Sequence, residues 1–124
     1  SLGGEGPFAD TQALMLKPAG KLALKLASRG NTVIGVVATN ARLTKNEANF
    51  VAQMAQDGLA RTIRPAHTML DGDTLFVLST GKASVDVNTV GAYAAEAVQA
   101  AILQAVREAG PAGGLPSMND MLEA

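Results

Sequence analysis

The chain contains no cysteine, no tryptophan and a single histidine, His67, and aromatics make up only 3% of its 124 residues. Without cysteine there is neither a disulfide framework nor a thiolate metal site. One imidazole is a poor start for a zinc site, so no metal and no cofactor is expected. Scarce aromatics leave the core to Ala, Val, Leu, Ile and Met. An excess of one charge is also missing: ten Lys and Arg face eleven Asp and Glu, a formal charge of −1 with no basic block. That balance argues against a nucleic-acid groove and against an anionic membrane surface as partners. No apolar run reaches the length of a membrane span and no signal peptide is read, so a soluble, cytoplasmic domain is expected. Hydrophobic residues reach 48%, enough to argue against disorder and to fill one modest core.

The chain is organised around Gly30 to Asn40, which reads Gly-Asn-Thr-Val-Ile-Gly-Val-Val-Ala-Thr-Asn. A polar turn, Ser28 to Asn31, gives way to Thr32 and then to the β-branched run Val33, Ile34, Val36 and Val37. Side chains stiff at χ1 pack well on a pleated surface, so a strand covered on both faces is predicted. Thr32 falls where the turn ends and the strand begins. A hydroxyl there is either a plain strand-former or a group placed to meet a substrate.

Before this strand, Gly3, Gly4, Gly6 and Pro7 read as loop, without the Lys-Ser/Thr ending of a phosphate loop. Gln12 to Leu16 is a short apolar element, and Lys21 to Ala27 alternates as a half-exposed strand expected to pair antiparallel with the central one. After it, Thr44 with Glu47 three residues on is a capping box that starts a helix over about Lys45 to Ile63. Ala48, Val51, Ala55, Leu59 and Ile63 give that helix one apolar face, and Pro65 ends it. Asp73 to Thr80 is a second strand, its run Leu75 to Leu78 predicting cover on both faces and Gly81 its end. A second helix over about Asn88 to Ala109 carries Val90, Ala94, Ala97, Ala101, Ala105 and Ala109 on one face, widened by Val98, Ile102 and Val106, and Gly110-Pro111 stop it. Pro116 to Ala124 is a turn capped by Ser117 or a tail. The skeleton β-β-α-β-α is of α+β class. Strands buried on both faces need more sheet and cover than these residues provide, so another polypeptide or an N-terminal portion must complete the sheet.

The polar groups to weigh are Thr32, Thr39, Asn40, His67, Asp71 and Asp73. Asp71-Gly72-Asp73 sets two carboxylates two positions apart, on one side of an extended segment. Such a pair can tune each other's protonation or orient a hydroxyl and an ammonium; as ordinary turn chemistry it does neither. Too few oxygen ligands cluster there for Ca²⁺ or Mg²⁺. His67, after Pro65, reads either as a satisfied loop histidine or as a base.

Asn31 to Ala41, the helix from Thr44 through Asp57, Gly58, Leu59, Ala60 and Arg61, then Ile63-Arg64-Pro65, His67-Thr68 and Asp71-Gly72-Asp73 together resemble the C-terminal part of the DmpA-type peptidases. That family includes L-aminopeptidase/D-esterases, β-aminopeptidases and nylon-oligomer hydrolases. The likeness runs from Gly30 to Glu108 in several motifs of fixed order. It implies an αββα sandwich similar to that of N-terminal-nucleophile hydrolases, with different connectivity. It also implies a precursor that cuts itself before a Ser or Thr, the freed residue becoming nucleophile and N-terminus of the small subunit. Thr32 matches that nucleophile, Asn31–Thr32 the scissile bond, and Asp71 and Asp73 the supporting acidic pair. Thr39, Asn40 and His67 fall in the expected substrate or oxyanion neighbourhood. The remaining oxyanion donors, with a helpful Lys and Asn, belong in the family to a larger N-terminal subunit.

On this likeness residues 1–31 are the end of the large-subunit region, 32–110 the nucleophile-bearing small-subunit region, and 111–124 a tail. The function implied is aminopeptidase or amidase action on a small peptide or amide, by a homo-oligomer of paired large and small subunits. Two alternatives stand beside it. An acyltransferase of the ornithine acetyltransferase type also uses a self-cleaving Thr, with an amine in place of water. A non-catalytic assembly domain is the other.

Overall fold

The computed structural model describes residues 11–18, 20, 32–69 and 71–123. In chain order they form α1 (Thr11–Met15), β1 (Ile34–Ala41), α2 (Lys45–Thr62), β2 (Thr74–Ala83), α3 (Val87–Glu108) and α4 (Met118–Leu122). The expected strand over 21–27 lies outside the described residues. Contacts divide the chain into one unit over residues 30–102 and another made of 1–29 with 103–124.

In the unit over 30–102, β1 and β2 run parallel, with Ile34 opposite Thr74, Val36 opposite Phe76 and Ala38 opposite Leu78. Parallel neighbours need a crossover connection, and α2 provides it. Its start follows from the capping box: the Glu47 N–H donates to Thr44 Oγ1 at 3.3 Å, and the Thr44 N–H donates to Glu47 Oε2 at 2.8 Å. The Thr44 N–H and the Thr44 hydroxyl, both donating to Glu47 Oε2, hold that carboxyl below the usual glutamate range. At its far end the cap residue Ile63 is already extended, ahead of Arg64 and Pro65. Helix α3 begins beside Asp86, whose carboxylate accepts the Thr89 N–H at 2.9 Å.

The core is Ala41, Val51, Ala55, Leu59, Leu75, Val90 and Ala94, with Val37, Ile63, Val77 and Val98 packed around it. Fully burying a side chain such as Leu59 contributes about 2 kcal/mol. The apolar face expected on α2 is therefore the one that packs. On α3 the expected Val90 and Ala94 are buried, with Gly91 and Ala95, and Val98 and Ile102 pack against the core, but Ala97, Ala101, Ala105 and Ala109 are exposed, a correction to the expected stripe. The reason is close helix packing. Gly58 of α2 lies against the Ala95 carbonyl and Val98, and Gly91 of α3 lies under the Met54 side chain. These two glycines choose which row of α3 turns inward.

Among the described residues the helices cover one face of the sheet. Gly35, Val37, Leu75 and Val77 face the helices, and the tip of Leu75 leans over Gly35. The opposite face is bare: Ile34 is 71% exposed, Val36 60%, Phe76 55% and Leu78 60%. Continuous β-branched runs signal a doubly covered strand, but two helices on one side cover only one face.

Nor does Gly81 end β2. Thr39 stands opposite Ser79 but Ala41 opposite Ala83, so β2 carries extra residues in a bulge, and Gly81 takes a positive φ of 71° within it. The Ser79 hydroxyl bridges the irregularity, donating to the Ala41 carbonyl at 2.6 Å and accepting from the Leu43 N–H at 3.3 Å.

The second unit holds α1, the residues of α3 from Leu103 and α4. Gly113 and Gly114, both at positive φ, turn the chain between the bridged residues Ala112 and Leu115. The Ser117 cap expected from the sequence is present, in a reciprocal box with Asp120 that starts α4.

Candidate active site

The N-terminal ends of the two parallel strands bring residues 32–33 beside residues 72–74. The Val33 N–H donates to Asp73 Oδ1 at 2.9 Å, and the Thr74 N–H donates to the Val33 carbonyl at 2.8 Å. Asp73 thus supplies, through its side chain, the acceptor that a further ladder residue would have offered. The residue after Thr32 is thereby held in place from both its amide and its carbonyl.

Thr32 itself is exposed. Its hydroxyl lies against Gly72: a Cβ placed on Gly72 would stand 2.9 Å from Thr32 Oγ1. Asp71 sits on the other side of that glycine in the chain. Its carboxylate turns back on its own loop, where Oδ2 accepts the Thr68 N–H at 2.8 Å, and its N–H donates to the Thr68 carbonyl at 3.1 Å. The two acids are therefore anchored to different backbone groups, Asp71 to its loop and Asp73 to β1. Thr32, Gly72 and Asp73 form one cluster, with Asp71 at its margin.

The other expected residues are not gathered there. Thr39 and Asn40 lie at the far end of β1, roughly 23 Å along the strand from Thr32 at ~3.3 Å per residue. They line a separate groove of about 340 Å³ with Val85, Thr89, Val90 and Tyr93. Thr39 Oγ1 accepts the Ala41 N–H at 3.1 Å, a role in the bulge. His67 has a positive φ of 58°, and its Nε2 lies 3.1 Å from Gln56 Oε1. Asn31 lies outside the described residues. Among the described residues no group of three or more His, Asp or Glu gathers to hold a metal ion, and no helix is long and apolar enough to cross a membrane.

Sequence reasoning missed Gly72 as a neighbour of the hydroxyl. The only signal for it was the absence of a side chain between two acids, which ordinary turns share.

A hydroxyl at the exposed tip of a strand, with a carboxylate fixed one residue away, is an arrangement suited to nucleophilic attack on an acyl group. The profile of peptidase family S58 matches residues 8–118, and the chain belongs to that family, which is the DmpA family. It is 44% identical to an uncharacterized aminopeptidase of Mycobacterium tuberculosis, over 73% of this chain and 31% of the relative. Against an uncharacterized aminopeptidase of Mycobacterium leprae the identity is 48%, over 70% and 28%. A 6-aminohexanoate-oligomer endohydrolase of a Kocuria species is 35% identical over 63% and 26%. The chain thus spans under a third of the length of these relatives.

Proposed function

We propose that this chain is the nucleophile-bearing part of a self-processing peptide or amide hydrolase, with Thr32 as the nucleophile and Asn31–Thr32 as the bond it cuts. The observation that carries this reading is the exposed Thr32 hydroxyl beside the Gly72-Asp73 segment at the open end of the sheet. In processing, Thr32 Oγ attacks the Asn31 carbonyl, its proton passing to the leaving nitrogen. The acyl group moves from nitrogen to oxygen, and water hydrolyses the ester, leaving a carboxylate on Asn31 and a free α-amine on Thr32. That amine has an ordinary pKa of about 8, so a useful fraction is neutral near pH 7 and able to take the hydroxyl proton. In turnover the same Oγ attacks the substrate amide, releases its amine, and passes the acyl group to water.

Asp73 keeps the strand start rigid while its negative charge favours the ammonium form of Thr32 as the proton is taken up. Asp71 fixes the loop that carries Gly72. An oxyanion hole is still needed. It belongs, on this reading, to a large subunit formed by residues up to Asn31 and the sequence before them, with 32–110 as the small subunit. The bare face of Ile34, Val36, Phe76 and Leu78 supports that, because a second sheet laid on it would make the αββα sandwich. The greater length of the relatives supports it too. The names of those relatives favour an oligopeptide or oligoamide substrate; assembly of paired large and small subunits into a homo-oligomer is part of the same proposal.

The test is intact-mass analysis of the full-length precursor, wild type beside Thr32→Ala. The wild type should yield a fragment beginning at Thr32 and the variant should stay whole. Equal processing of both would remove Thr32 from its role.

A further inference from the structure

Gly72 has no conformational reason to be glycine. Its φ lies outside the left-handed region, and the residue is exposed, so neither backbone strain nor core packing excludes a side chain. What a side chain would meet is specific. Chain neighbours aside, the three atoms nearest to a Cβ at this position all belong to Thr32: Oγ1 at 2.9 Å, Cγ2 at 3.6 Å and Cβ at 3.8 Å. The first is closer than a carbon and an oxygen tolerate; the others are ordinary contacts. The Thr32 backbone is tied down through Val33, whose amide and carbonyl are both bonded to the 73–74 segment. A clash at Oγ1 is therefore relieved by turning χ1 of Thr32.

We infer that Gly72 is a positioning residue, whose missing side chain is the space that keeps the Thr32 hydroxyl in its attacking rotamer. The inference rests on Thr32 being the nucleophile. Position 72 acts only through that hydroxyl and touches neither proton nor substrate. Threonine is β-branched and stiff at χ1, so a forced turn also drives its methyl into a new place. Serine has no methyl and takes the same turn more cheaply. The consequence is an energetic coupling between positions 72 and 32 that a general loosening of the loop would not produce.

The experiment is a double-mutant cycle in the full-length precursor: wild type, Gly72→Ala, Thr32→Ser and the pair, with Thr32→Ala alongside. The rate of appearance of the new N-terminus is followed by mass spectrometry, and thermal unfolding is measured on each. Gly72→Ala should slow processing roughly tenfold in the Thr background, the factor that a turn of ~30° off a rotamer implies, and clearly less in the Ser background. Equal slowing in both backgrounds, no slowing at all, or loss of folding in both would overturn the role of Gly72. If Thr32→Ala is uncut while Gly72→Ala is cut at the wild-type rate, the nucleophile stands and only the positioning role falls. If Thr32→Ala is cut like wild type, both fall.

Discussion

Asp73 accepts the Val33 N–H at 2.9 Å across a separation of forty residues, tying the start of the second strand to the residue that follows Thr32. The bond gives Asp73 two separable contributions, an acceptor for a part-buried amide and a negative charge near the proposed nucleophile. Asp73→Asn keeps an acceptor oxygen and drops the charge, whereas Asp73→Ala drops both. Stability should stay close to wild type in the Asn variant and fall by about 1 kcal/mol in the Ala variant, the usual worth of such a bond. Processing at Asn31–Thr32 should slow in both. Urea unfolding and a processing time course measure the two effects, and an Asn variant cut at the wild-type rate would assign Asp73 to structure alone.

The start of α2 makes a pH prediction. Hydrogen bonds from the Thr44 N–H and hydroxyl hold the Glu47 carboxyl below its ordinary value. A group depressed in the folded state stabilises above its unfolded pKa, and that contribution is lost as pH falls through the folded one. Glu47→Gln preserves a capping side chain without the charge. The wild type should be the more stable at neutral pH, with the gap closing as pH falls through the lowered folded pKa of Glu47. A gap that is flat with pH would mean the charge on Glu47 is idle.

The elements legible in the sequence were those with local causes. The Thr44-Glu47 box, Pro65 after the helix and the Ser117 cap each act within a few residues, and each stands where it was expected. Val90, Ala94, Val98 and Ile102 on α3 stand inward as expected, but the exposure of Ala97 and Ala101 was not legible, because Gly58 and Gly91 set the packing from two different helices. Cover on both faces of the sheet is legible only as a demand: Val36 and Phe76 carry the composition of a covered strand, and the partner that composition implies is not among the described residues. At the site, the nearness of Thr32 to Gly72 and Asp73 follows from the parallel pairing of β1 and β2. Thr39 and Asn40 lie on β1, which begins two residues after Thr32, and sequence proximity concealed that the strand carries them to its far end.

Gly58 and Gly91 also differ in what an added methyl would strike. At Gly58 it meets the backbone carbonyl of Ala95, which cannot move without shifting α3, whereas at Gly91 it meets the flexible end of Met54. Alanine gains about 1 kcal/mol over glycine within a helix at either position. Overpacking against backbone costs ~1–3 kcal/mol and should outweigh that gain at Gly58. Gly58→Ala should therefore destabilise, while Gly91→Ala should be neutral or stabilising once Met54 swings aside. Denaturant midpoints for the two variants decide it, and equal losses would show that α2 and α3 are packed equally tightly at both points.

The bare sheet face makes the last prediction. Ile34, Val36, Phe76 and Leu78 are each more than half exposed, and burying a side chain of this size stabilises by ~1.5–3 kcal/mol. A contiguous apolar surface of this kind on a lone domain drives association. Residues 32–110 expressed alone should therefore self-associate and bind a hydrophobic dye, and co-expression with the preceding region should recover a soluble, dye-silent complex. Val36→Lys with Leu78→Lys places two charges on that face without touching Thr32, Gly72 or Asp73. In the isolated piece the pair should raise the monomer fraction, and in the full-length protein it should stop the two fragments from co-eluting after cleavage. Light scattering on the eluted peaks reads both. A piece that is monomeric and dye-silent by itself would mean the face needs no cover, and the case for a second sheet would lose its physical ground.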